Sequence, residues 1–99
     1  MAKKDEFVLK FGKPYTFEGS EYKEIDLSGL EKLTVKDLIE IEKQFTASGQ
    51  AAAVAEMSIG YASLVAAAVT KKPVEFFTGL PGREGIKVRT VVSSFFLQD

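Results

Sequence analysis

Chemistry in a protein needs side chains that can move a proton, hold a metal or cradle an anion, and this chain of 99 residues offers few of them. It has no His and no Cys. Disulfides, zinc sites built on thiolate or imidazole, and the usual proton shuttle near neutral pH are therefore excluded. Carboxylates come in neighbouring pairs: Glu40 with Glu42, Glu24 with Asp26, Glu31 with Asp37. General acid and base roles need two carboxylates whose surroundings push their pKa values apart. These pairs stand among other charges and read as solvated surface. Ser and Thr lack a His to activate them, and no lysine is singled out as a desolvated base. Gly79-Leu-Pro-Gly-Arg-Glu-Gly85 is Gly-rich, but it has neither the Gly-Lys-Ser/Thr ending of a phosphate loop nor the dinucleotide fingerprint. It reads as a connection between helices, with Arg83 and Glu84 fixing the turn rather than binding an anion. No catalytic residue, cofactor site or metal site is expected, so the residues point to binding rather than catalysis.

The elements that position these residues follow from periodicity. Phe7, Leu9 and Phe11 alternate with Val8 and Lys10, the signature of a half-buried strand. Pro14–Phe17 and Glu21–Ile25 flank Glu18-Gly-Ser-Glu21, where Gly19-Ser20 suits a tight hairpin turn. A small antiparallel sheet of two or three strands is expected, too small to stand without helices packed on it. Thr34-Val-Lys-Asp37 has the form of a capping box. After it, Leu38, Ile41 and Phe45 lie on one helical stripe, and Ser48-Gly49 ends the helix. The last segment is ambiguous on period alone. Val88, Val91 or Val92, and Phe95 keep helical spacing, while Ile86, Val88, Thr90 and Val92 alternate and are rich in β-branches.

The middle of the chain is unusual. Residues 51–70 hold eight alanines and one ionisable side chain, Glu56. Alanine has the best helix propensity, so the run reads as a helix despite Gly60, stopped by Lys71-Lys72-Pro73. Glu56 is either a favourable first-turn charge or a polar anchor at an interface. Val54, Met57, Tyr61, Leu64, Val65 and Ala68 form the larger-residue face, and Ala51, Ala55, Ala62 and Ala66 leave the rest nearly smooth. Three readings follow. A membrane span needs about 20 predominantly apolar residues, but alanine partitions weakly, Glu56 intrudes and no aromatic belt flanks the run. A helix apolar on most sides is ordinarily buried at the centre of a small core. In a chain this short one side of it can also stay open for a partner.

Composition fits a single globular domain over residues 1–99, with 45% hydrophobic and 27% charged residues. A net charge of −1 and interleaved Lys and Glu leave no electrostatic footprint for nucleic acid. The N-terminal Met-Ala-Lys-Lys-Asp-Glu lacks a following apolar region, so no secretory signal is expected.

Two stretches carry a resemblance: Lys13–Lys43, with the motifs Tyr22-Lys-Glu-Ile-Asp-Leu-Ser28 and Leu33-Thr-Val-Lys-Asp-Leu38, and Leu80–Leu97, which opens with Leu80-Pro-Gly-Arg-Glu84. Together with the small-residue run, they resemble the small tail assembly chaperones of long-tailed bacteriophages and prophages. The resemblance implies an α+β fold. A small N-terminal β-hairpin or sheet over about residues 6–26 would precede three to four helices over about 34–48, 51–71, 73–78 and 82–97. It tips the last segment to helix, although Gly85 stands where other members carry a bulky apolar residue. It further implies a viral morphogenesis role in the host cytoplasm, outside the mature virion. The chain would bind the tape measure protein, keep it soluble and help recruit tail tube subunits. No nucleic acid, membrane or cofactor is implied, and weak homo-oligomers are compatible. The alternative from a different class is a small tail or head–tail connector subunit assembling into a ring. The candidate client face is Val54, Met57, Tyr61, Leu64 and Val65, with Phe95 and Phe96. The competing idea is that the same residues form the core, and Asp at Met57 or Leu64 separates the two.

Overall fold

In the computed structural model, residues 7–47, 49 and 58–97 are described. Strand β1 (Val8–Phe17) and strand β2 (Ser20–Asp26) form one antiparallel hairpin. The turn is Glu18-Gly19 rather than Gly19-Ser20, because Ser20 already pairs with Phe17. Both turn residues have positive φ, 50° and 82°. That is the two-residue geometry whose twist matches the flanking strands, and Gly19 adopts it without a Cβ penalty. The stretches read as separate strands around Pro14 are one irregular strand. The ladder is regular from Val8↔Asp26 to Lys10↔Glu24 and again from Tyr15↔Tyr22 to Phe17↔Ser20. Between these blocks β1 contains Phe11–Pro14 where β2 contains only Lys23. Pro14 has no N–H to give a ladder, so the bulge falls where pairing would fail anyway.

Leu27 leaves the hairpin by donating its N–H to the Phe7 carbonyl at 2.7 Å, and a 3-10 turn over Ser28–Lys32 buries Leu30 completely. Helix α1 (Val35–Ala47) opens with the expected reciprocal cap. The Asp37 N–H donates to Thr34 Oγ1 at 3.2 Å, and the Thr34 N–H donates to Asp37 Oδ2 at 3.0 Å. Ile41 and Phe45 of its apolar stripe are buried.

Helix α2 runs Ile59–Thr70. The expected helix over 51–71 is thus shorter at its start, and residues 51–57 lie outside the described residues. The physical reason is Ser58. It is extended (φ −86°, ψ 139°), and its hydroxyl accepts from the N–H groups of Gly60 and Tyr61. A serine that caps competes with helix continuation through itself. The helix ends on Lys71 in the left-handed region, φ 62°. No helix among the described residues is long and apolar enough to cross a membrane.

Helix α3 (Val74–Thr78) and helix α4 (Gly82–Leu97) complete the chain. The last segment is helix although its β-branched residues also alternate. The described part is therefore an N-terminal antiparallel hairpin followed by helices, an α+β arrangement. Helix α2 is its centre, packed against α1, α3, α4 and the 3-10 turn. Val65 of α2, Val88 and Val92 of α4, and Leu27, Leu30 and Phe76 fill the middle.

Candidate functional site

Helix α3 has only five residues, and its two faces differ. Phe76 points to the hairpin and meets four rings, with centroids 4.9–5.2 Å away: Tyr15, Phe17, Tyr22 and Phe77. These pairs are edge-on, which matches the charge distribution of aromatic rings. The Tyr15 hydroxyl donates to the Phe76 carbonyl at 2.9 Å, and burial pushes its pKa above the usual tyrosine value. Lys72 lies 4.6 Å above the Tyr22 ring and covers the cluster from outside.

A second attachment holds the hairpin to α4. Glu84 is only 6% exposed. Its Oε2 accepts from the Gly12 N–H at 2.9 Å, which satisfies a donor that the bulge has removed from the ladder. Its Oε1 makes no well-oriented hydrogen bond but lies 3.2 Å from Lys87 Nζ, an ion pair one turn along the helix. The Gly12 hydrogen bond holds the carboxyl below the usual glutamate range; burial opposes this and Lys87 assists it. Glu84, expected to fix the turn ahead of α4, instead holds a strand 72 residues away in sequence. Outside this latch lies a cleft of about 540 Å³ lined by Lys13, Pro14, Tyr15, Pro81, Arg83 and Lys87.

The other face of α3 is open. Val74, Phe77 and Thr78, with Ile59, Gly60, Ser63 and Leu64 of α2 and Gly82 and Gly85 of α4, line a groove of about 470 Å³. Among the described residues no charged side chain lines it. Ile59 is 42% exposed, and Ile86 is 47% exposed. Ile86 follows Gly82 by one helical turn and so shares its side of α4.

The residues expected to face a client divide three ways. Val54 and Met57 lie outside the described residues. Tyr61 and Val65 are core, 5% and 0% exposed, so they do not offer surface. Tyr61 stands edge-on to Phe45 and Phe96, which joins α1, α2 and α4. Leu64, Phe95 and Phe96 are half-buried against the core, and of these Leu64 lines the groove. The smooth side is also closed, since Ala62 and Ala66 have no exposure. Small side chains there let neighbouring elements approach α2 closely, and the expected open alanine face is absent at these positions.

Sequence reasoning missed Ile59, Val74 and Ile86; Phe77, which also lines the groove, is a core residue at 3% exposure. One signal was available: Gly82 and Gly85 sit in the first turn of a helix, where each costs up to about 1 kcal/mol relative to alanine. A Cβ added to either meets no described residue within 4 Å, so packing among the described residues does not require them to be glycine. Among the described residues no group of acids could hold a metal. Comparison of the chain with protein-family models, curated proteins and solved structures finds no match.

Proposed function

We propose that this chain is a binding protein and not an enzyme: a phage or prophage tail assembly chaperone whose client is the long helical tape measure protein. The observation that carries the reading is the groove between α2, α3 and the start of α4, which no described charged residue lines and which exposed Ile59 borders. A chaperone for a long amphipathic chain needs apolar surface that tolerates many side chains, and a shallow groove with glycine on its floor does so better than a deep pocket. The three motifs at residues 22–28, 33–38 and 80–84 support the same reading. Recruitment of tail tube subunits and action in the host cytoplasm belong to it.

The test is co-expression with a tape measure protein from a long-tailed phage. The client is expected to move from the insoluble to the soluble fraction and to co-purify with the chain. Leu64→Asp is expected to abolish this while leaving a cooperative melt. A client that stays insoluble, together with a purified chain that elutes as a closed ring, overturns the reading in favour of a structural tail or connector subunit.

A further inference from the structure

The groove and the cationic cleft lie on opposite sides of one helical turn. Gly82 and Gly85 face the groove, while Pro81, Arg83, Glu84 and Lys87 face the cleft. We propose that this first turn of α4 is a docking ridge for a helical segment of a partner protein, in which an apolar stripe is bordered by carboxylates. The inference rests on the client-binding reading above and supplies the client's chemistry.

Two independent features define that occupant. The first is the floor. Gly60 and Ser63 on α2, and Gly82 and Gly85 on α4, are small residues at i, i+3 spacing, so each pair lies on one face of its helix. No described residue comes within 4 Å of a Cβ added at Gly82 or Gly85, which leaves room for another backbone; Ile59 lines the approach, and exposed Ile86 lies one turn along α4 from Gly82. The second is charge. Lys13 and Arg83 are exposed, and among the described residues neither has a carboxylate within ion-pair distance. The one acid in the cleft, Glu84, is already engaged by the Gly12 N–H and Lys87, with its side chain 8% exposed. The cleft therefore presents positive charge outward while the adjoining groove presents none. A partner helix with acids beside its apolar stripe meets complementary charge; one with lysines there meets repulsion.

The full chain is titrated against three fluorescent helical peptides that share one Leu/Ala stripe and differ only in flanks of Glu, Gln or Lys. The Glu-flanked peptide is expected to bind at least about tenfold more tightly than the Lys-flanked one at low salt, with the gap narrowing as salt screens it. Gly85→Leu, which fills the groove from open space, should remove binding of all three with a melting temperature unchanged or raised. Lys13→Glu combined with Arg83→Glu should invert the flank preference, and it remains informative if the leucine variant does not fold. Equal binding of the three peptides overturns the charge rule. Wild-type binding by the Gly85→Leu variant overturns the docking site. If a tape measure protein is solubilised while none of the peptides binds, the chaperone reading stands and this inference falls; if neither occurs, both fall.

Discussion

The two faces of α3 use neighbouring residues of one short helix in opposite ways. On the hairpin side Phe76 is met by three rings, Tyr15, Phe17 and Tyr22, and a Cβ added at Gly79 would lie 2.7 Å from the Tyr15 hydroxyl. On the groove side Val74 and Thr78 share the lining with Gly82 and Gly85, where an added Cβ would meet no described residue within 4 Å. The first turn of α4 repeats the contrast, with Glu84 latched inward to Gly12 and Gly82 and Gly85 facing out. The filled side holds the hairpin in place, whereas on the other side no described residue packs over Gly82 or Gly85.

The largest test of this contrast is Phe76→Ala. Removing a fully buried ring in contact with four others should cost about 3–5 kcal/mol in urea unfolding, and a loss below about 1 kcal/mol would mean that the aromatic seam does not hold the hairpin. Glu84→Gln comes next, at about 1–3 kcal/mol, because the charge-assisted, part-buried hydrogen bond from the Gly12 N–H is weakened. The wild type adds a pH signature. The folded pKa of Glu84 is depressed below its ordinary 4.5, so its contribution is fully present above that value. It is lost as pH falls through the lower folded pKa. Stability measured against pH should therefore fall more steeply below 4.5 in the wild type than in Glu84→Gln.

The smaller tests concern glycines. Gly79→Ala should destabilise by about 1–2 kcal/mol, because the Tyr15 hydroxyl must move and leave the Phe76 carbonyl. Gly85→Ala should do the reverse and stabilise by up to about 1 kcal/mol, since helix propensity improves and nothing clashes. Thermal melts of the two variants shifting in the same direction would erase the distinction between the filled and open sides.

Much of the architecture was legible in local pattern. Thr34 and Asp37 announce the start of α1 because both halves of the cap lie within one turn. Glu18 and Gly19 were within one residue of the expected turn. Helix α2 starts at Ile59, not at residue 51: eight alanines outweigh one serine in a propensity argument, but Ser58 is extended and caps the helix that follows it. The site was less legible. Tyr61 and Val65 belong to an apolar face on any helical wheel, yet whether that face is covered depends on α1 and α4. Leu64 shares the same stripe and lines the groove instead.

What the sequence alone determined is therefore whatever closes within a few residues: helix caps, the two-residue turn, the stop at Lys71 and Pro73, and the absence of His and Cys. What only the tertiary structure decided is which apolar side chains are enclosed and what the buried acid is for. Glu84 meets Gly12 across 72 residues, and Phe76 meets Tyr15 across 61. Periodicity records the face a side chain occupies, but burial depends on what another part of the chain places opposite that face.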